Sequence, residues 1–270
     1  MILVEEYNKS IKELLNLSEK RFVFSSIMEG HTQGQIYVND LEKPEVYVIM
    51  DGGNFVLYFG GNTDDADKYE ACVKYAKSDI LTSELRNTYD DHILIAFTSE
   101  GYKEALVENL NNSIVHKGMK SLYRYDLKNF KQNEYDLNDY VVKSIDDTIL
   151  NSKLENLDQL LDEIKCMWGN EKPFLEYGFG YCAVRDSKLL AWCAAEFVSS
   201  ESCGIGIETI EDEQGKGIGT HVALKFVERC YRDKITPHWD SWLKNYPSVK
   251  IAQKVEFDKI EDYEAFVVKF

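Results

Sequence analysis

A glycine-rich segment in the second half of the chain has the composition of an anion-binding loop. Gly215, Gly217 and Gly219 stand at alternate positions with Lys216 between them, after a β-type run and before a helical apolar pattern. Glycines so spaced let successive backbone N–H groups approach a ligand without obstruction by Cβ. At the start of a helix, those donors and the helix dipole suit a phosphate or pyrophosphate. Lys216 adds positive charge, so we expect an anionic ligand here.

Two other glycine motifs fit less well. A P-loop requires Ser or Thr directly after the lysine, and a dinucleotide fingerprint from Gly215 requires glycine where the chain has Thr220. The stretch from Gly178 to Ala183 matches a dinucleotide pattern but continues into a β-type run instead of a helix, so we take it as chance. An ordinary strand-to-helix turn without a ligand is the structural alternative for the main loop.

The loop resembles the signature of the GNAT superfamily of acetyl-CoA-dependent N-acetyltransferases. That signature, [Arg/Gln]-x-x-Gly-x-[Gly/Ala], reads Gln214-Gly215-Lys216-Gly217-Ile218-Gly219. A downstream family pattern, Asn-x-x-[Ala/Ser]-x-x-Leu-Tyr-x-Lys-x-Gly-Phe, is matched in part by Asn245, Ser248, Ile251, Ala252, Lys254, Glu256 and Phe257. The segment is most similar to the subgroup that includes the zwittermicin A resistance acetyltransferase. The resemblance extends over residues 180 to 260, and the first half shares only the order of elements.

The resemblance implies acetyl-CoA as cosubstrate and no metal. Its pantetheine would pair with the strand backbone near Ile207 and Thr209, and its pyrophosphate would lie on the amides of Gly215 to Thr220. The residues implied to bind it are Ile207, Thr209, Ile210, Gln214, Gly215, Lys216, Gly217, Ile218, Gly219, Thr220, Asn245 and Ser248. Enzymes of this family let a neutral amine attack the thioester directly. The protein must then accept the ammonium proton, stabilise the oxyanion and protonate the thiolate.

The candidate bases are Glu208, on the strand before the loop, and Asp240, near the end of the following strand. Either carboxylate could instead be structural. Many relatives use a tyrosine to protonate the thiolate, and the matching residue here is Ala252, so that role is vacant. Glu256 replaces the usual glycine, which indicates an altered turn. His221 and His238 are weaker candidates, because a lone histidine is more often a packed or solvent-facing residue.

Composition limits the classes of partner. The chain has 270 residues, a net charge of −16 and a pI near 4.8. So acidic a surface repels phosphate backbones, which argues against nucleic acid and favours small or cationic partners. No apolar run is long enough for a membrane span, and the N-terminus does not resemble a signal peptide. The six cysteines form no disulfide or zinc pattern, so we expect a cytoplasmic protein.

The pattern of elements predicts an α/β (α+β) fold, and the resemblance implies a GNAT-like mixed sheet flanked by helices. Strands and helices occur in the same order twice, which indicates two related units. We set the boundary at 1–133 and 134–270, with only the C-terminal unit carrying the CoA motif. In the first unit, β-type runs are expected at Arg21–Ile27, Gln35–Asn39, Glu45–Met50 and Asn54–Phe59, followed by a helix from Asp64 to Leu85.

We expect the first unit not to bind CoA. Its counterpart of the phosphate loop contains Asp64, Asp65 and Asp67, whose charges would oppose a pyrophosphate. This unit would instead supply one wall of the acceptor cleft, with Glu29, His31 and Asp51 as candidates.

The leading interpretation is an N-acetyltransferase that acts on a primary amine of a small, cationic molecule, such as an aminated antibiotic or a metabolite. The alternative is a GNAT-like acyl-CoA-binding or sensory module without catalysis, suggested by Ala252. A third interpretation is acyl transfer to a protein terminus or lysine, which would need a wide acidic groove. A homodimer is left open.

Overall fold

The structure is a computed structural model that describes residues 1–16, 22–81, 91–131 and 139–269. In the first half, a short strand and two helices precede a three-stranded meander, which is followed by alternating helices and strands. The elements are β1 (Ile2–Leu3), α1 (Lys9–Asn16), α2 (Val23–Met28), β2 (Gly34–Val38), β3 (Val46–Asp51), β4 (Val56–Gly61), α3 (Ala66–Tyr75, continued by a π-helical turn Ala76–Ile80), β5 (His92–Phe97), α4 (Glu100–Leu110) and β6 (Ile114–Arg124).

The second half repeats this order with one additional single-turn helix. Its elements are β7 (Val141–Ser144), α5 (Asp147–Leu150), α6 (Leu157–Trp168), α7 (Glu171–Tyr177), β8 (Gly180–Arg185), β9 (Lys188–Val198), β10 (Ser202–Thr209), α8 (Ile218–Asp233), β11 (Thr236–Trp242), α9 (Tyr246–Lys254) and β12 (Asp258–Lys269). The α1 and α2 pair of the first half corresponds to α6 and α7, and α3 and α4 correspond to α8 and α9.

All twelve described strands form one sheet. Their order is β1-β2-β3-β4-β5-β12-β6-β11-β10-β9-β8-β7. If each strand is replaced by its counterpart in the other half, the same order is obtained in reverse. The two halves are therefore related by a pseudo-twofold axis. The last strands are exchanged, because β12 lies beside β5 of the first half and β6 lies beside β11 of the second. The predicted mixed α/β sheet with two related units is confirmed, whereas the boundary at 133/134 lies outside the described residues.

Each half contains one parallel pair joined by a helical crossover. In the first half, β4 runs parallel to β5 and stays paired from Val56 to Phe59. In the second half, β10 and β11 are paired only as far as Gly204 with His238. Beyond that pair, β10 bonds to β9 alone and β11 to β6 alone. The two strands therefore separate, and one backbone edge of β10 is left without a strand partner.

Helix α8 forms because its apolar residues recur at helical spacing. Ile218, Val222, Phe226 and Cys230 are all buried against the second-half core. A separate cluster around Phe59 and Tyr102 forms the core of the first half. A third cluster joins the halves, since α1 and α2 pack on β3 and on Phe197 of β9. The two halves thus share both a sheet and a core.

The expected strand at Arg21–Ile27 is wrong over its described part, which is helix α2. Val23, Phe24 and Ile27 form one buried face against β3 and β9. Aromatic and β-branched residues favour strands in isolation, but burial between the halves overrides that preference. Helices α1, α5 and α7 were not anticipated. The described part of the helix expected at 64–85 ends at Ile80.

Candidate active site

The glycine loop gives helix α8 an open N-terminus. Gly215 and Gly217 have φ values of +75° and +86°, a left-handed conformation that glycine adopts without strain. Gly217 is the N-cap and provides no side chain to bond the first-turn amides. Gln214 Nε2 donates to Thr209 O at 3.1 Å and holds the loop against the end of β10. The first amides of α8 are available to an anion.

A cleft of about 470 Å³ lies between this loop, β10 and α9. Ten of the twelve residues predicted to bind the cosubstrate line it: Ile207, Thr209, Gln214, Gly215, Gly217, Ile218, Gly219, Thr220, Asn245 and Ser248. At Gly219, helix α8 comes close to both β10 and α9. A Cβ there would lie 2.8 Å from Thr209 Oγ1 and 3.2 Å from Ile251 Cδ1. The cleft therefore depends on the absence of a side chain at Gly219.

The positive charge at the cleft comes from α9 rather than from the loop. Lys216 and Ile210 do not line the cleft, and Lys216 Nζ lies 3.2 Å from Glu213 Oε2. Glu213 also pairs with Arg185 at 2.5 Å, so this carboxylate holds two cations. Lys250 and Lys254, one helical turn apart, line the cleft instead. The four-residue spacing of these two lysines places them on one face of a helix, and this sequence signal could have identified them as cleft residues.

These features fit an elongated anionic thioester. The uncapped α8 amides and the lysines of α9 suit phosphate groups, and the glycine cradle admits a thin chain beside β10. The separation of β10 from β11 leaves an unpaired strand edge that can bond to amides of such a chain. The residues that would hold acetyl-CoA are therefore present and accessible.

Two carboxylates that we did not predict lie on the opposite face of β10, around Gly206. A Cβ at Gly206 would be 2.7 Å from Glu163 Oε1 and 3.4 Å from Glu196 Oε1. Trp192 Nε1 donates to Glu163 Oε2 at 2.7 Å. Glu196 is an additional residue in β9, because Ala195 pairs with Ile205 and Phe197 with Gly204. This bulge holds its side chain beside the point where β10 and β11 separate.

Burial raises the pKa of both carboxyl groups. For Glu196 the pKa rises to about 8, mainly through burial and then through the neighbouring Glu163 charge, while Lys120 opposes the rise. Burial also raises the pKa of Glu163, and the Trp192 hydrogen bond opposes this rise. A carboxyl group with a pKa near neutrality is suited to accept a proton. A single carboxylate inside the apolar run Lys188–Val198 was the sequence signal that we missed.

The two predicted bases, Glu208 and Asp240, each lie near one of these two buried carboxyl groups. Glu208 is exposed and lines the cleft, and its charge raises the pKa of Glu163. Asp240 lies on β11 outside the cleft and raises the pKa of Glu196. Tyr263 donates to Asp240 Oδ2 at 2.5 Å, and Lys120 Nζ lies 3.5 Å from the same oxygen. We call Glu163, Glu196, Glu208 and Asp240 the acidic cluster.

Neither histidine candidate is placed to act as a base. Burial and the charge of Arg124 lower the pKa of His238 to about 3, and its ring stacks on Phe22. Burial lowers the pKa of His221, which hydrogen-bonds to Tyr140 beside the edge strand β7. The lowered pKa makes each ring a weaker base than an ordinary histidine.

A core alanine, Ala252, occupies the position at which many relatives have the tyrosine. Ala252 is completely buried against the second-half core and presents no hydroxyl group. Tyr246, at the start of α9, lines the cleft and is largely exposed. Glu256, which replaces the family glycine, adopts φ +68°. The turn after α9 thus accommodates a side chain in the left-handed conformation, which is uncommon for residues other than glycine.

The corresponding region of the first half is closed. Asp65 caps helix α3 with its own side chain, which accepts from Asp67 N and occupies the helix N-terminus. Tyr102 donates its hydroxyl to Gly60 O at 2.9 Å, where β4 ends. A carboxylate and a tyrosine thus fill the space that the loop and the strand gap leave open in the second half.

The residues expected in the acceptor wall hold the halves together. Glu29 accepts from Ser200 N at 2.8 Å, and His31 Nδ1 lies 3.0 Å from Val198 O, both at the end of β9. Asp51 is buried and accepts from Gly53 N at 3.0 Å, and its charge contributes to the raised pKa of Glu196. Asp51 therefore lies near the acidic cluster, whereas Glu29 and His31 bind the β9–β10 turn.

In the described ranges, no group of three or more His, Cys, Asp or Glu side chains has the arrangement of a metal site. None of the described helices combines the length and the apolarity needed to cross a membrane.

The chain matches a known protein family over most of its length. A family model described as GNAT acetyltransferase matches residues 12–266. An uncharacterized N-acetyltransferase of Bacillus subtilis, YdfB, is 22% identical over 243 residues, covering 90% of this chain and 88% of that protein.

Solved structures show a similar fold. A GCN5-related N-acetyltransferase-like protein from Streptococcus suis superposes with a TM-score of 0.65 at 17% identity, covering 95% of this chain and 96% of that one. A tandem GNAT protein from the clavulanic acid biosynthesis pathway gives a TM-score of 0.55 at 9% identity, covering 88% and 83%. The latter agrees with the two-unit architecture.

Proposed function

Because this chain belongs to the GNAT acetyltransferase family, we propose that it transfers an acetyl group from acetyl-CoA to a primary amine of a small, cationic molecule. One observation carries the proposal. The cleft behind the uncapped α8 lies on one face of the separated strands β10 and β11, and Glu163 and Glu196 of the acidic cluster lie on the other. An anionic donor and a cationic acceptor can thus approach the same gap from opposite sides.

The cleft residues bind and orient the donor, which supplies the thioester. The amides of Ile218 to Thr220 and the ammonium groups of Lys250 and Lys254 attract its phosphates. The unpaired edge of β10 after Gly204 offers backbone donors and acceptors along the gap. Backbone N–H groups fixed in this way can also stabilise an oxyanion.

The acidic cluster accepts the proton. A bound ammonium group gives one proton to a carboxylate, and the resulting lone pair forms the C–N bond while the C–S bond breaks. Glu196 is best suited to this role, since its pKa of about 8 makes it a stronger base than an ordinary carboxylate. Glu208 and Asp240 remain candidates, and exposed Glu208 offers a route for the proton to solvent. After the C–N bond forms, the nitrogen releases a second proton to water, and the released thiolate takes one proton from water or from a residue other than Ala252.

The acceptor is proposed to be an aminated antibiotic or a polyamine-like metabolite. Support comes from the net charge of −16, from the acidic cluster and from the sequence resemblance to the zwittermicin A resistance subgroup. The proposed location is the cytoplasm, supported by six free cysteines, five of them buried. The alternative function, an acyl-CoA-binding module without catalysis, is favoured by the buried Ala252 alone.

Calorimetry with acetyl-CoA, followed by thiol release across a panel of primary amines, tests the proposal. We expect saturable binding and thiol release that depends on the amine. Gly219→Val should abolish binding, because its side chain would enter the cleft at Thr209. The matched control is Ala71→Val, since Ala71 is exposed on α3 and lies outside the cleft. Absence of binding at millimolar acetyl-CoA would refute the proposal, and binding without turnover on any amine would favour the non-catalytic module.

A further inference from the structure

A second, smaller cavity of about 40 Å³ lies where β10 and β11 begin to separate. Both halves of the chain form its walls. Phe22 and Tyr58 come from the first half, and Glu196, His238 and Asp240 come from the second. Since Gly204 and His238 form the last pair between β10 and β11, the cavity adjoins the gap into which the donor is proposed to extend.

Three polar side chains that can accept hydrogen bonds line this cavity, and they have few hydrogen-bond partners within the described protein. His238 is 4% exposed, and its Nδ1 is buried without a hydrogen-bond partner. Burial lowers the pKa of His238 to about 3, so the ring is neutral and one of its two nitrogens can accept a hydrogen bond. Glu196 forms no hydrogen bond or ion pair with another described residue. Asp240 has Tyr263 and Lys120 as partners through one oxygen only.

An unpartnered acceptor buried beside two carboxylates requires a donor, because an unpaired buried polar atom is costly. A primary ammonium group supplies three N–H donors and one positive charge. The aromatic rings of Phe22 and Tyr58 add a surface that attracts a cation. The volume admits a group about the size of one or two water molecules, which fits a primary ammonium and excludes a quaternary one.

We propose that this cavity binds the primary ammonium group of a slender, unbranched alkylamine, with Glu196, Asp240 and Nδ1 of His238 accepting its three N–H donors. The assignment of this amine as the acetyl acceptor rests on the proposed function. The first half of the chain then takes part in substrate recognition through Phe22 and Tyr58. In the transfer, one ammonium proton passes to Glu196 and the nitrogen lone pair is directed toward the strand gap.

Calorimetry of the full chain with n-butylammonium, without acetyl-CoA, tests the cavity by itself. At a pH of about 9 both the amine and Glu196 carry their charges. We expect saturable binding, no binding of n-butanol, and exclusion of tetramethylammonium. Glu196→Gln keeps the shape and removes the charge, so it should weaken binding about tenfold or more. Glu201→Gln, an exposed residue of the β9–β10 turn outside the cavity, is the matched control and should bind normally.

Phe22→Leu provides a second variant that leaves the acidic cluster intact, and it should weaken binding roughly threefold. Thermal unfolding verifies that each variant is folded. No butylammonium binding, equal binding of n-butanol, or unchanged affinity in both variants would overturn the inference. A separate acetyl-CoA titration distinguishes the two proposals. If acetyl-CoA binds and butylammonium does not, this inference fails alone, and if only butylammonium binds, the proposed function fails.

Discussion

Glu196 shows how one residue acquires a chemical property from its surroundings. It stands in an otherwise apolar strand, at a bulge beside Gly206, and faces other charged groups from several elements. Those that shift its pKa are Glu163 on α6, Asp240 on β11, Asp51 on β3 and Lys120 on β6. Burial and three carboxylates outweigh one lysine, so the pKa rises to about 8 and the deprotonated fraction that can accept a proton grows as the pH approaches that value.

The stability of a Glu196→Gln variant should depend on pH. The folded pKa of about 8 lies above the unfolded value near 4.3, so between these pH values the folded protein binds more protons than the unfolded chain. Wild-type stability therefore falls as pH rises through this range. Relative to wild type, Glu196→Gln should gain roughly 1–3 kcal/mol in unfolding free energy at a pH of about 9 and little near pH 4. Urea denaturation measures this, and a difference independent of pH would contradict the assignment.

The two lysines of α9 should control affinity for the donor. Removing Lys250 and Lys254 together takes two positive charges from the cleft, so acetyl-CoA should bind about tenfold more weakly with a smaller salt dependence. Calorimetry at two salt concentrations measures both effects. Lys172→Ala, an exposed lysine on α7 outside the cleft, is the control. Equal affinity in the double variant would show that the phosphates lie elsewhere.

At the scale of elements, the two halves use the same strand–loop–helix unit differently. Helix α8 starts at Gly217 without a side-chain cap, whereas α3 starts at Asp65, whose carboxylate bonds its own first turn. The paired strands differ as well, since β10 leaves β11 after Gly204 but β4 stays beside β5 through Phe59. Cap chemistry and strand separation together decide which copy can receive an anionic ligand.

Gly217 and Gly219 should respond differently to alanine. At Gly219, φ is ordinary but a Cβ would press on Thr209 and Ile251, so Gly219→Ala should weaken acetyl-CoA binding. At Gly217 nothing lies within 4 Å, but φ is +86°, so Gly217→Ala should lower stability by about 1 kcal/mol. Thermal unfolding and calorimetry on both variants separate these effects. The opposite pattern would contradict the loop geometry.

At the scale of the whole molecule, the exchange of β6 and β12 makes each half depend on the other. Strand β12 pairs with both β5 and β6, and β6 in turn pairs with β11. Neither half can complete its sheet alone, and the α1–α2 core would lose Phe197. The two-unit layout thus serves folding, in addition to the part in substrate recognition that we propose for it.

Separate chains 1–131 and 139–270 should not fold alone. Each would expose unpaired strand edges and an uncovered core, which favours aggregation. Co-expressed, the two chains should associate into one particle that binds acetyl-CoA. Size-exclusion chromatography and circular dichroism of each chain and of the mixture measure this. A folded, monomeric 139–270 chain that binds acetyl-CoA would contradict it.

The sequence by itself determined the family, the two-unit order and most of the residues that line the cleft. These features are local, since the glycine loop, its helix and the α9 residues lie within 50 residues of one another and follow periodic patterns. Only the tertiary structure decided that Glu163 and Glu196 flank Gly206, that Lys216 pairs with Glu213, and that α2 is a helix. Each depends on contacts between distant segments, and burial changes both the secondary structure and the pKa that a residue type prefers in isolation.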